Sequence, residues 1–244
     1  MSGAEQPAAA LTVKIWRGGP DGDFQTYRVP RRDSQTVLDV VTHVQREIDP
    51  SLYYRFACRV GMCGSCATTV DGKPAWTCRT LVSRVEKDNA IRIAPLANLP
   101  VIRDLACDMT DFFDKWQRAS GRFVPTDPGA QGFERIPPAS RARRAADSGI
   151  ECIGCGVCYA ACDVVAWRPD YLGPAALNRA WTLVNDARDG ERRGHLAATA
   201  ADAGCHACHS HQSCATHCPK ALNPTAAIAG LKRELFAAVL KGAL

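Results

Sequence analysis

The sequence predicts an α+β chain in two parts: strands wrapped around one amphipathic helix, then a mainly helical region. Three observations carry this prediction. Apolar and polar residues alternate with period two through much of the first hundred residues. Beyond Val101 the apolar spacing becomes helical, and twelve of the 13 cysteines fall into three compact groups. At 244 residues the chain has room for one large or two modest domains.

In chain order, residues 11–16 alternate as a half-buried strand should, with Leu11, Val13 and Ile15 on one face. Gly18, Gly19, Pro20, Asp21 and Gly22 form a turn, and residues 24–29 a second strand. Asp33 or Ser34 is placed to cap a helix over residues 36–48, where Val37, Val40, Val41, Val44 and Ile48 share a face. Residues 68–70 and 75–78 flank an Asp71-Gly72 turn and read as a hairpin; residues 90–94 read as a last strand. This is a grasp-like arrangement. From Val101 on, Ile102, Leu105, Met109, Phe112, Phe113 and Trp116 line one face of a predicted helix, which makes Cys107 a packing residue. Residues 120–138 are rich in Gly and Pro and read as a linker. Arg141, Arg143 and Arg144 read as a solvated helix face, and further helices are predicted over residues 175–189 and 225–240. The domains are set at residues 1–110 and 111–244.

Composition narrows the function. A 46% hydrophobic and 23% charged chain is ordinary for a globular protein, and no apolar run reaches the roughly 18 residues of a membrane span. Residues 1–10 read as neither a secretory signal nor a transit peptide, which places the cysteines in a reducing compartment. There, grouped cysteines point to metal ligands.

The first group, Cys58, Cys63, Cys66 and Cys78, runs C-x4-C-x2-C-x11-C. This is the plant-type [2Fe–2S] spacing, and Gly61 and Gly64 let the backbone curl close to the cluster. Four thiolates also suit a structural zinc ion, the competing reading. The second group, Cys152, Cys155, Cys158 and Cys162, runs C-x2-C-x2-C-x3-C. In two-cluster proteins with this run the fourth cysteine serves the other cluster. The third group supplies that exchange with Cys208, Cys214 and Cys218, followed by Pro219. Reciprocity then assigns Cys152, Cys155, Cys158 and Cys218 to a [4Fe–4S] cluster, and Cys162, Cys208 and Cys214 to a second cluster. Where a complete run would place a further cysteine stands His211. Three thiolates suit a [3Fe–4S] cluster; His211 or Cys205 as a fourth ligand is the alternative. The Cys/His density of residues 205–218 also admits a zinc knot, but that leaves Cys162 without a partner.

These residues resemble the iron–sulfur subunit of succinate dehydrogenase and fumarate reductase, the succinate:quinone oxidoreductases. The resemblance rests on Cys58-Arg59-x-Gly61-x-Cys63-Gly64-Ser65-Cys66 and on residues 98–105 (Asn98, Leu99, Pro100, Val101, Ile102, Arg103, Asp104, Leu105). It continues through the run from Cys152 to Cys162, Gly173-Pro174-Ala175-Ala176, and Cys218-Pro219-Lys220-Ala221-Leu222-Asn223-Pro224. It implies a plant-ferredoxin-like β-grasp domain followed by an all-α domain like the bacterial ferredoxins, with [2Fe–2S], [4Fe–4S] and [3Fe–4S] clusters. It further implies an electron-transfer subunit docked on a flavoprotein with FAD, where succinate and fumarate interconvert. Membrane anchor subunits and quinone on the cytoplasmic side of the cell membrane complete the picture. By the same resemblance Trp167 and His209 fall at the quinone site. An interfacial anchor tryptophan and a supporting histidine are the plainer readings of those two.

Two departures stand out. Asp163 replaces the usual proline after Cys162, and His211 replaces an apolar residue. They leave open the quinone used and the direction of flow. An iron–sulfur subunit of another flavin-linked enzyme, such as a thiol-linked fumarate reductase, is the alternative function. A nucleic-acid partner is not expected. Eleven thiolates with their cluster cores would take the formal charge from +5 to about −1.

Overall fold

A computed structural model describes residues 10–129, 132 and 136–242. The reading of residues 1–9 as carrying no leader, and parts of the predicted linker, lie outside these. The chain divides into two compact units, Met1–Asp108 and Met109–Leu244.

In the first unit, β1 (Ala10–Arg17) and β2 (Asp23–Pro30) pair antiparallel across the predicted turn. Leu11, Val13 and Ile15 are fully buried, as the alternation requires. Next comes α1 (Val37–His43), then β3 (Ala67–Val70) and β4 (Lys73–Trp76), the predicted hairpin, and the single turn α2 (Val82–Val85). The strand β5 (Ala90–Ala94) lies parallel to β1 and antiparallel to β3, completing a sheet in the order β2-β1-β5-β3-β4. Val37, Val40, Val41 and Val44 pack with Leu11, Val13, Ile15, Val29, Ile91 and Ile93 in one core.

Two details of the helix differ from expectation. The cap is Thr36, not Asp33 or Ser34. Its hydroxyl accepts the Asp39 amide at 3.2 Å while the Asp39 carboxylate accepts the Thr36 amide at 2.9 Å. After His43 the winding widens to a π-turn over Val44–Ile48, closed by the Asp49 amide on the Val44 carbonyl at 2.7 Å. The wider turn carries Ile48 off the apolar face, and it is 45% exposed.

Asp49, just past that turn, gathers the loop. Its carboxylate accepts from the Ser51 hydroxyl (2.6 Å) and amide (3.0 Å), the Arg17 guanidinium and the Tyr27 hydroxyl (3.0 Å). Ser51 and Arg17 together hold the carboxyl well below the usual carboxylate range. A depressed folded pKa stabilises above the unfolded value of about 4, and the contribution is lost as pH falls toward the folded one. Asp49→Asn is therefore expected to lower stability at pH 7 and to flatten the acid limb of the stability profile below about pH 4. An acid limb identical to that of the parent would reject this role.

The helix predicted from Val101 does not begin there. β6 (Val101–Arg103) and β7 (Ala106–Cys107) form a small hairpin, with Ile102 exposed and Cys107 buried in a strand rather than on a helix. Asp104 decides this. It sits at φ +49° in the turn, and its buried carboxylate accepts the Gly18 amide at 2.6 Å and the Tyr53 amide at 2.7 Å. Those tertiary bonds, far apart in sequence, override the local 3.6-residue spacing.

The second unit opens with α3 (Thr110–Arg118), where Phe112 is buried but Phe113 is exposed. It continues with α4 (Arg141–Ile150), capped by Ser140, on which Arg141 and Arg144 are exposed and Arg143 pairs with Asp147. The cysteine-bearing turns α5 (Val157–Ala160) and α6 (Asp163–Trp167) follow. The central helix is α7 (Gly173–Val184), which packs against α3, α4, α5, α8 (Arg192–Ala200) and α10 (Pro224–Leu240). The one-turn α9 (Ser213–Thr216) carries Cys214. Helix α7 starts and stops earlier than predicted. Gly173, at φ +85°, turns the chain where a Cβ would lie 2.8 Å from the Tyr159 ring, and Pro174 follows at the first turn. At the other end the Asn185 side chain donates to the Trp181 carbonyl at 2.8 Å. Helix α8 lies outside the predicted helices. It is held by His195, fully buried between Asp189 (2.9 Å) and Ser120 (3.0 Å).

Candidate metal centres

In the first unit the loop from Cys58 to Cys66 carries Arg59, Gly61 and Gly64 at positive φ, which winds it into a tight coil. A Cβ on Gly61 would meet the Trp76 ring at 3.2 Å and the Arg79 stem at 3.0 Å, so the coil lies directly on the β4 end. The Met62 and Cys63 amides donate to the Cys58 sulfur at 3.2 and 3.3 Å. Thr77 binds the Cys66 carbonyl through both its amide (3.2 Å) and its hydroxyl (2.9 Å), which draws Cys78 beside the coil. The four thiols then influence one another. The Ser65 hydroxyl and nearby amides bring the Cys63 thiol down to about 6, while burial and the neighbouring Cys66 push Cys78 up to about 11.

The second unit holds two recesses. Cys152, Cys155, Cys158 and Cys218 line one, with Pro219 and Leu222 at its apolar wall. Cys162, Cys208 and Cys214 line the other, with Tyr171, His209 and His211. The structure thus brings Cys218 to the first recess and Cys162 to the second, although each is adjacent in sequence to the opposite set. Burial and the surrounding thiols Cys152, Cys155, Cys214 and Cys218 push Cys158 well above the ordinary thiol range. Burial likewise raises Cys152, Cys162 and Cys214. Such thiols ionise only with cationic compensation inside the recess, which an iron–sulfur core would supply.

Among the described residues no group of three or more His, Cys, Asp or Glu closes on a single metal ion. The thiols line the two recesses in sets of four and three, ligand sets of the size that iron–sulfur clusters take.

The remaining candidates sit as follows. His209 lines the second recess, whereas Trp167 stands outside its lining on α6, 68% exposed. They are connected through His211, whose ring lies 5.7 Å from Trp167 and 5.9 Å from His209. The two departures, Asp163 and His211, face each other, with Oδ2 3.4 Å from Nδ1. Cys205 is fully buried and belongs to neither lining; burial pushes its thiol up to about 11.

Sequence reasoning missed Tyr171 and Thr225. Tyr171 is buried against Cys162, Cys208 and Cys214, and burial drives its hydroxyl far above the usual range. The Thr225 hydroxyl lies 3.2 Å from the Cys214 sulfur. Neither residue carries a spacing signal.

Comparison with known proteins matches these parts one by one. A family described as a 2Fe-2S iron-sulfur cluster binding domain matches residues 12–114, and a 4Fe-4S dicluster domain matches residues 151–223. The chain is 35% identical over 93% of its length to a mitochondrial succinate dehydrogenase iron-sulfur subunit of Oryza sativa, of which 82% is covered. It is 38% identical over 89% of its length to a fumarate reductase iron-sulfur subunit of Mycobacterium tuberculosis, of which 88% is covered. A chain of the Mycobacterium smegmatis Sdh1 complex in the apo form superposes with a TM-score of 0.83 at 26% identity, covering 93% of this chain and 96% of that one. A sheet domain with a thiol-lined coil, joined to a helical unit with two thiol-lined recesses, therefore belongs to the iron–sulfur subunits of succinate dehydrogenase and fumarate reductase, which serve these oxidoreductases in electron transfer.

Proposed function

We propose that this subunit relays electrons between the FAD of a flavoprotein partner and quinone at a membrane anchor, through three clusters held by eleven thiolates. The N-terminal unit (residues 1–110) is read as a plant-ferredoxin-like β-grasp domain, in which Cys58, Cys63, Cys66 and Cys78 hold a [2Fe–2S] cluster. The C-terminal unit (residues 111–244) is read as an α-helical ferredoxin. There Cys152, Cys155, Cys158 and Cys218 hold a [4Fe–4S] cluster, and Cys162, Cys208 and Cys214 a [3Fe–4S] cluster. The observation that carries this reading is the interchange of Cys162 and Cys218 between the two recesses. A two-cluster ferredoxin run makes that exchange, and a pair of independent zinc sites has no need of it.

When bound, the clusters pass single electrons along the subunit. The chain's own residues hold and shape the sites. In the second recess Thr225 reaches the Cys214 sulfur and Tyr171 is packed against the three thiols, keeping water from that side. No helix among the described residues is long and apolar enough to cross a membrane; attachment through anchor subunits on the cytoplasmic side is part of this proposal. Trp167, 68% exposed, offers its indole N–H to a quinone carbonyl, and His209 lines the recess with the three thiols.

The test uses the assembled complex with Trp167→Phe and His209→Leu made separately. Quinone reduction is expected to fall at least tenfold, on the scale of losing one well-placed hydrogen bond near 1.4 kcal/mol, while succinate-linked reduction of an artificial dye persists. Equal loss of both activities rejects the quinone assignment.

A further inference from the structure

One cation inside the second unit is unused by the relay. Lys115, on α3, is only 1% exposed. Its Nζ donates to the Tyr159 hydroxyl at 2.6 Å and lies 2.9 Å from the Asp111 carboxylate, to which Tyr159 donates in turn at 3.2 Å. This ordered ring of donors and acceptors is the one an ammonium requires, since a charged lysine has three donors and no acceptor. Burying a charge is costly, and a methionine or leucine would fill the same space without desolvation. The site therefore holds a cation where packing alone does not call for one. Its compensation is also incomplete. Asp111 is 57% exposed, so water screens its field, while the Lys115 charge is enclosed by protein.

Tyr159 places that charge against the redox segment. It is almost completely buried, directly follows Cys158, and its carbonyl accepts the Cys162 amide at 3.2 Å. One recess is lined by Cys158 and the other by Cys162. Tyr159 is further fixed by Phe112, whose ring meets it edge-on at 5.4 Å, and by Gly173, where no Cβ has room. The Lys115–Tyr159 bond thus ties a buried positive charge rigidly to the short helix between the two thiol sets.

We propose that Lys115 tunes the redox potentials of the two clusters of the second unit, its buried charge favouring their reduced forms. The inference rests on the cluster assignment proposed above. A cluster held there would gain one negative charge on accepting an electron from one neighbouring carrier and lose it on passing that electron to the next. Lys115 takes no part in the transfer. Its field lowers the energy of the more negative state, because cluster potential responds to net local charge. Asp111 moderates that field with opposite sign.

The experiment is a redox titration monitored by EPR on the assembled complex, with Lys115→Met and Asp111→Asn. Lys115→Met keeps chain length and removes the charge; both midpoint potentials are expected to move negative. Asp111→Asn leaves the cation less compensated and is expected to move them positive. A merely structural role does not give opposite signs. Unshifted potentials, or shifts of the same sign in both variants, overturn the proposal. If Lys115→Met does not assemble, Asp111→Asn decides alone: a positive shift supports the tuning role and any other result rejects it. Absence of the [4Fe–4S] and [3Fe–4S] signals from the unsubstituted complex would instead overturn the cluster assignment.

Discussion

Cys218→Ser is expected to abolish the [4Fe–4S] cluster, although Cys218 lies in the third cysteine group, while Cys162→Ser is expected to abolish the [3Fe–4S] cluster, although Cys162 lies in the second. Anaerobically purified parent protein should carry about 9 irons per chain, by the counted ligands. The Cys218 variant should then retain at most about 8, since the three thiolates left can hold no more than a three-iron cluster, and the Cys162 variant about 6, with the oxidised-state [3Fe–4S] EPR signal present in the first and missing in the second. Either loss interrupts the relay, so succinate-driven quinone reduction should fall to background in both. The physical reason lies in the linings: Cys218 shares a recess with Cys152, Cys155 and Cys158, and Cys162 shares one with Cys208 and Cys214. Loss of the [3Fe–4S] signal from the Cys218 variant with the [4Fe–4S] signal intact would reverse the assignment. A parent protein with zinc and no visible absorption would end it. About ten irons and no [3Fe–4S] signal would make His211 or Cys205 a ligand. Of these two His211 lines the recess and Cys205 does not.

Asp104→Ala is expected to cost the first unit about 3–5 kcal/mol, the range for removing one partner of a buried charge pair. Its carboxylate is 1% exposed and receives two amides, from Gly18 and Tyr53, with Arg17 Nε 3.2 Å away. That Nε has no aligned hydrogen bond, so the contact is purely ionic and the two amides bind the carboxylate most firmly. Alanine leaves both N–H groups and the Arg17 Nε uncompensated in a buried site, while Asp49 and Ser51 still hold the rest of the guanidinium. It also places a non-polar residue at φ +49°, a conformation that Asp and Asn tolerate better. With a urea slope of about 1–3 kcal/mol/M, the midpoint for loss of [2Fe–2S] absorbance should drop by at least about 1 M. Asn at the same position keeps an acceptor and the backbone preference, and should lie between. A midpoint within about 0.2 M of the parent would show that Asp104 does not carry the hairpin.

Much of the candidate site was legible because metal ligation is encoded by residue type and short spacing. The coil from Cys58 to Cys66 must bend within nine residues, so its glycines announce themselves. The reciprocal placement of Cys162 and Cys218 likewise follows from the number of cysteines in each run. Residues that support the thiols without binding metal were not legible. Tyr171 and Thr225 reach the second recess by helix packing, and any Tyr or Thr in a helical region looks the same beforehand. The pairing of Asp163 with His211 was equally hidden: each was noticed as a departure, and only the fold brings them within 3.4 Å.

The fold divides in the same way. Period-two strands β1 and β5 and the amphipathic α1 were readable because one face of each is buried in a single core. The helix expected across residues 101–116 was not, because Ile102, Leu105 and Met109 mimic a helical stripe while Asp104 bonds to Gly18 and Tyr53 instead.

By itself the sequence determined the α+β class and pointed to three thiol sets and to iron–sulfur clusters as their cofactor, since these readings depend on local period and on ligand chemistry. Only the tertiary structure decided where α7 begins and ends, that residues 101–107 are a hairpin, and that Lys115 is a buried cation bonded beside the cluster-bearing turn. Those outcomes depend on partners far along the chain, and bonds of that reach leave no trace in local spacing.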